Sequence, residues 1–156
     1  GIFDMWEAFV ELQNEQPNDW ELWCVGTGDQ FEKRIEHKKI KHFGFIQPQD
    51  MGEIIQKSGV YILPSHFEPW GVTVHEFAAA GFPLLCSNKV GSSELFLNNQ
   101  RNGYKFDSGN KEQIKRGFKN IINKSEDELL VMQQESLKLS QLITPEKWAL
   151  TLLSFI

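Results

Sequence analysis

Pro64-Ser65-His66-Phe67-Glu68-Pro69-Trp70-Gly71-Val72-Thr73-Val74-His75-Glu76-Phe77-Ala78-Ala79-Ala80-Gly81-Phe82-Pro83 joins a strand to a helix. The strand is the apolar run Val60 to Leu63 just before it. Glu68 falls in the loop, Gly71 opens the helix, and Glu76 lies inside the helix, seven residues beyond Glu68. The first turn of a helix leaves its N–H groups without intrahelical acceptors, and those of Gly71, Val72 and Thr73 fall there. With the positive end of the helix dipole they make a natural phosphate site. Gly71 removes the side chain that would hold a ligand away. Val72, Val74, Phe77 and three alanines make the helix apolar nearly all round, so it is expected to be buried and Glu76 to need a partner. A ribose diol can give one carboxylate two hydrogen bonds; a neighbouring Lys or Arg would serve the bland alternative.

The same alternation runs outward in both directions. Upstream, apolar positions 2, 5, 6, 9 and 12 share one helical face. Glu21 to Gly26 reads as a strand closed by the turn Gly26-Thr27-Gly28-Asp29, and residues 29 to 38 as an exposed charged helix. Ile40 to Ile46 is a second strand, and Pro48 starts a helix reaching about Lys57. Downstream, Pro83 to Ser87 is a strand, and Gly91 to Asn98 a short helix with Ser92 or Ser93 as its cap. Tyr104 to Phe106 is the last strand. From Asn110 onward three helices follow, opened by Asn110, by a Ser125/Glu128 capping box and by Thr144-Pro145. Short apolar strands alternating with helices predict an α/β, Rossmann-like fold, a single parallel sheet with helices on both faces. Ligands in such sheets bind at the C-terminal strand ends. Gly26-Thr27-Gly28, Gly44-Phe45-Ile46 and the Glu68 loop all converge there.

The chain is one domain, residues 1–156. Its net charge of −5 opposes non-specific nucleic-acid binding, so no nucleic-acid partner is expected. No apolar run is long enough to span a membrane, and no signal peptide is expected. Cys24 and Cys86 fall in apolar strands and read as small core residues of a reducing compartment. The histidines at 37, 42, 66 and 75 lack metal-ligand spacing, and Ala79 sits where an HExxH motif would need its second histidine, so no metal is expected. Trp6, Trp20, Trp23 and Trp148 fall on apolar faces and are expected in core or inter-domain packing; Trp70 stands in the loop beside the site.

The stretch resembles the Glu-x7-Glu motif of family 4 (group 1) retaining glycosyltransferases, of GT-B fold. Pro-Ser before it, Trp-Gly within it and Glu-Phe-Ala-Ala-Ala-Gly-Phe-Pro after it carry the likeness, which extends over nearly the whole chain. The resemblance implies a C-terminal, donor-binding half of a two-domain enzyme that moves a sugar, with retention, from a nucleoside diphosphate to an acceptor hydroxyl. No cofactor is implied beyond the nucleotide-sugar substrate. Glu68 would lie beside the donor sugar as the catalytic-site glutamate, Pro69, Trp70, Gly71, Val72 and Thr73 would line sugar and diphosphate, and Glu76 would take the ribose. Gly26, Gly28, Phe45 and Ile46 would meet the nucleobase and nucleotide. Val90-Gly91-Ser92-Ser93-Glu94 is similar to a Gly-Gly-x-x-Glu loop of the family, with a serine for one glycine. The family carries a further strand, a Gly-Arg turn and a lysine before the position of Gly1, the Arg and Lys holding the diphosphate. An N-terminal acceptor domain precedes them. The chain is thus expected to be truncated at its first strand, to expose a sheet edge there, and to lack that partner domain. The acceptor would be a glycan or lipid-linked saccharide, and the full enzyme cytoplasmic or peripheral at the inner membrane face. A non-catalytic nucleotide-sugar-binding or interaction module and a GT-B nucleotide-sugar epimerase are the alternative readings.

Overall fold

The structure, a computed structural model, describes residues 1–155. Its strands are β1 (Leu22–Val25), β2 (Ile40–Gly44), β3 (Tyr61–Leu63), β4 (Leu84–Ser87) and β5 (Gly103–Phe106). Before, between and after them come α1 (Ile2–Glu15), α2 (Met51–Gln56), α3 (Val72–Ala79), α4 (Ser93–Phe96), α5 (Lys111–Ile122), α6 (Glu126–Ser140) and α7 (Pro145–Leu153). Each strand pair is parallel, as the alternation of strands and helices predicts.

The strands do not form one continuous sheet. β1 pairs only with β2, and β3, β4 and β5 form a separate ladder in that order. Among the described residues no strand lies between β1 and β3, so their facing edges have no ladder partner. Burial follows the same division. β4, flanked on both sides, is buried along its whole length, whereas every residue of β3 is only half-buried. The open edge is therefore internal, between two halves of the domain, rather than at the rim.

Two apolar clusters cover the two faces. Met5, Trp6, Phe9 and Leu12 of α1 pack with Ile114, Phe118 and Ile121 of α5 over one face, where Leu85 points. Val74 and Ala78 of α3 pack with Leu84, Cys86, Val90 and Phe96 on the other. Successive β4 side chains thus serve opposite clusters, the period-two pattern of a strand buried on both faces. A buried polar knot attaches α6. Asn102 donates to Phe96 O at 2.8 Å and Ser136 Oγ at 2.9 Å, and accepts from Asn98 N at 2.7 Å. Ser136 in turn donates to Phe82 O at 2.7 Å.

Capping in the C-terminal half follows the sequence. Asn110 accepts from Gln113 N, Ser125 and Glu128 close a capping box, and Thr144 accepts from Lys147 N. The charged helix expected over residues 29 to 38 does not form; only Phe31–Lys33 makes a 3-10 turn. That segment has no apolar stripe to bury, and a short helix without packing is marginal in water. Trp6 is buried, but Trp148 is 66% exposed on α7, contrary to a place in this domain's core.

Candidate functional site

The loop after β3 is held by backbone bonds to the segment after β4. Glu68 N donates to Lys89 O at 3.0 Å, Gly91 N to Glu68 O at 3.0 Å, and Ser92 N to Trp70 O at 2.8 Å. Ser92 Oγ donates to Gly71 O at 2.9 Å, and both Ser92 and Ser93 are fully buried. The expectation that Ser92 or Ser93 caps α4 fails: Ser93 Oγ donates to Val90 O at 2.7 Å, and neither hydroxyl caps the helix. These serines are scaffold for the Glu68 loop. A cap and a scaffold use the same hydroxyl, so only the neighbour brought up by the fold distinguishes them.

Gly71 is required on two grounds. Its φ of +84° is left-handed, and a Cβ there would stand 3.1 Å from Glu68 Cγ and Val90 Cγ1 and 3.2 Å from Leu63 Cδ2. Gly91 is required by close approach, since its Cβ would meet Pro69 O at 2.2 Å. The turn at Gly71 then launches α3. Val74 N folds back to Gly71 O at 3.0 Å. The amides of Gly71, Val72 and Thr73 meet no acceptor among the described residues. They converge at the positive end of the helix dipole, an arrangement suited to an anion.

α3 is not buried all round. Val74 and Ala78 carry its buried face, while Val72, Thr73, Glu76, Ala79 and Ala80 form an exposed stripe. Glu76 is thus solvent-facing, and among the described residues no Lys, Arg or His pairs with it. Composition could not show this, because alanine and valine suit either side of a helix that lines a cleft. Glu68 is half-buried, and its Oε1 lies 3.4 Å from Trp70 N, bracing its own loop. Trp70 sets its edge toward Phe96 at 6.4 Å and remains partly exposed.

Tyr61, the first residue of β3, packs against α3. Its hydroxyl lies 2.7 Å from Thr73 Oγ1, and its ring stacks on Phe77 at 4.1 Å. Burial pushes the phenol up to about 12, helped by the negative fields of Cys86, Glu76 and Glu68. Nearby, His66 Nε2 meets Asp4 Oδ2 at 2.6 Å and ties the loop to the start of α1.

On the other half, Gly26 N donates to Gly44 O at 2.6 Å, joining the turns that end β1 and β2. Gly26, Gly28 and Thr73 line one cavity of about 990 Å³. Phe45 is 66% exposed and Ile46 half-buried; neither reaches that cavity's walls, and nor do Glu68, Pro69, Trp70, Gly71, Val72 or Glu76. Cys86 is buried and its thiol is pushed up to about 12 by desolvation, while Cys24 is half-buried and accepts from Trp6 Nε1 at 3.2 Å. No group of three His, Cys, Asp or Glu among the described residues is arranged to hold a metal.

Residues 1–136 match the family described as Glycosyl transferases group 1. The chain belongs to the group 1 glycosyltransferases. It is 32% identical over 107 residues to a glycogen synthase of Mycobacterium tuberculosis, covering 64% of this chain and 26% of that protein. The chain thus spans about a quarter of the length of the curated relatives it matches. In fold it is similar to the C-terminal domain of a group 1 glycosyltransferase from Francisella tularensis. That likeness has a TM-score of 0.75 and 18% identity, and covers 88% of this chain and 76% of the other. It is similar also to the pneumococcal O-GlcNAc transferase GtfA, solved in complex with UDP and GlcNAc, with a TM-score of 0.70 and 22% identity over 96% of this chain and 32% of that one. The group 1 glycosyltransferase chain therefore presents the α/β, Rossmann-like architecture of GT-B enzymes. Among its described residues no helix is long and apolar enough to cross a membrane.

Proposed function

We propose that this chain is the donor-binding, C-terminal half of a retaining glycosyltransferase. The observation that carries the reading is the pairing of three open amides, Gly71 to Thr73, with the unpaired Glu76 one turn further along α3. The amides and the helix dipole take the diphosphate of a nucleotide-sugar. Glu76 accepts two hydrogen bonds from the ribose diol. Gly26 and Gly28 let the nucleotide approach the end of β1, and the backbone at Phe45 and Ile46 meets the base. Glu68 and the segment Pro69 to Thr73 lie along the sugar.

In the reaction the bond from the anomeric carbon to the diphosphate oxygen breaks, and the acceptor oxygen bonds to that carbon on the same face. The acceptor proton passes to the departing diphosphate. Negative charge grows on the diphosphate as it leaves. The α3 amides are aimed at it in advance, so they stabilise the transition state with little reorganisation. The acceptor is a glycan or lipid-linked saccharide, and the enzyme works in the cytoplasm. Support comes from the family and from the relative solved with UDP and GlcNAc.

Calorimetry on the full-length enzyme tests this reading with free uridine and guanosine diphosphates. Glu76→Ala is expected to weaken the preferred nucleotide by roughly 1.5–3 kcal/mol, as for hydrogen bonds to a charged group. Unchanged affinity would return Glu76 to a passive surface role and remove the reading's main support.

A further inference from the structure

Several hydroxyls on the helices of this protein, or just past their ends, fold back onto their own backbone. Ser58 Oγ donates to Ile54 O at 2.8 Å, Ser140 Oγ to Leu137 O at 2.8 Å and Thr151 Oγ1 to Lys147 O at 2.9 Å. Thr73 behaves differently. It stands in the first turn of α3, where no helical carbonyl lies four residues back. Its Oγ1 instead meets the Tyr61 hydroxyl at 2.7 Å, and among the described residues it has no other hydrogen-bond partner. Tyr61 is held along one face of the helix. Thr73 and Phe77 lie one turn apart on that face, at i and i+4. The Tyr61 ring stacks on Phe77, with centroids 4.1 Å apart and planes within 12°, and Phe82 sets edge to face against Phe77 at 5.1 Å. The ring thus occupies the second turn of α3. Its hydroxyl reaches back to the first, where the amides of Gly71, Val72 and Thr73 are open.

We propose that Tyr61 is a positioning residue for the diphosphate: its phenol donates to Thr73 Oγ1 and leaves the Thr73 hydroxyl hydrogen directed at a phosphate oxygen beside the open amides. The inference rests on the reading of those amides as the diphosphate site. The direction of the bond follows from the two partners. A phenol is far more acidic than an aliphatic alcohol and is the stronger hydrogen-bond donor. Burial pushes Tyr61 up to about 12, so at neutral pH it holds its proton and has it to share. A threonine hydroxyl carries one hydrogen and two lone pairs. With one lone pair engaged by Tyr61, Thr73 keeps its hydrogen for a second acceptor, and an anion is the acceptor that the start of a helix favours. The reverse direction, Thr73 donating to Tyr61, would turn only lone pairs toward that anion. The two bonds also polarise one another, since a hydroxyl that accepts from a phenol donates more strongly. Tyr61 thus adds no charge to the site, yet gives the diphosphate a fourth donor aimed before the reaction begins.

The test is calorimetry of the full-length enzyme with uridine and guanosine diphosphates, beside titration with uridine and guanosine, which lack phosphate. Thr73→Val is expected to weaken the preferred diphosphate by about 10- to 100-fold, the loss of a hydrogen bond to a charged group. Tyr61→Phe keeps the stacked ring and is expected to weaken it by about 3- to 10-fold, the loss of one neutral hydrogen bond. Thr73→Ser retains the hydroxyl and should stay within about 2-fold of wild type. The nucleosides should bind Tyr61→Phe and Thr73→Val as they bind wild type, because neither change touches Glu76. Adding Tyr61→Phe to Thr73→Val should bring no more than about 2-fold further loss, since the phenol acts only through the threonine. Three results would each overturn the proposal: undiminished diphosphate affinity in Tyr61→Phe, fully additive losses in the double variant, or an equal loss of nucleoside binding, which a displaced α3 would produce. Glu76→Ala distinguishes this failure from failure of the donor-site reading. If Glu76→Ala weakens the diphosphate and Tyr61→Phe does not, only the role of Tyr61 is lost; a wild-type enzyme that binds neither diphosphate overturns both.

Discussion

Ser92 donates its buried hydroxyl to the carbonyl oxygen of Gly71 at 2.9 Å, twenty-one residues away in sequence, and so fixes the turn from which α3 starts. The same carbonyl accepts from Val74 N at 3.0 Å. The turn that holds the open amides thus rests on a serine that lies outside the glutamate motif. Ser92→Ala removes one of the two donors, and is expected to cost about 0.5–1.5 kcal/mol in urea unfolding and to weaken nucleoside diphosphate binding as well. A loss of stability with intact nucleotide affinity would mean that the turn holds its shape without the serine.

Gly71→Ala forces a left-handed side chain into contact with Glu68, Val90 and Leu63. The expected cost is about 1–3 kcal/mol, read by thermal or chemical denaturation. Gly28→Ala provides the contrast. A Cβ at Gly28 meets nothing within 4 Å. Stability should change by less than about 0.5 kcal/mol, while nucleotide affinity in the full-length enzyme should fall. An affinity equal to wild type would move the nucleotide away from the end of β1.

Glu68→Ala and Glu76→Ala should separate in kinetics. On the proposed reading Glu68 lies along the sugar, so its loss should depress kcat far more than nucleotide affinity. Glu76 is exposed and unpaired, so its loss should leave unfolding stability within about 0.5 kcal/mol while weakening the nucleotide. Equal effects of both variants on nucleotide affinity would contradict the assignment of separate roles.

Alkaline pH should unfold the protein through Cys86 and Tyr61. Burial raises both, from ordinary values of 9.0 and 10.0 to about 12. A raised folded value means that the unfolded chain loses its proton first. The stabilising contribution is therefore complete below pH 9 and disappears as pH rises through 12. Between those limits each group should contribute a slope of up to about 1.4 kcal/mol per pH unit. Cys86→Ala should flatten this slope even though its small cavity lowers stability at neutral pH. An unchanged slope would show that the thiol does not report burial.

The parallel α/β fold, the C-terminal caps and the family were legible from the sequence alone. Strand and helix periods, a Pro-Ser-to-Gly-Phe-Pro motif and cap residues are local signals, each written within a few residues. Asn110, Ser125 with Glu128, and Thr144 cap as read because a cap needs only its own helix. The open amides at Gly71 were equally legible, since every helix start has them.

Three features needed the tertiary structure. Ser92 and Ser93 carry the same capping chemistry whether they bond their own helix or a loop across the fold, and proximity assigned them to the loop. Glu76 lies among residues that suit a buried helix, and the open stripe of α3 emerged only when Val74 and Ala78 were seen to take the core. The division of the strands into two ladders left no mark on any one strand, because pairing is a property of neighbours. The sequence marked most segments as strand or helix, the stretch 29 to 38 excepted, because those signals are local; the tertiary structure decided which strand edges pair, because pairing joins residues far apart in the chain.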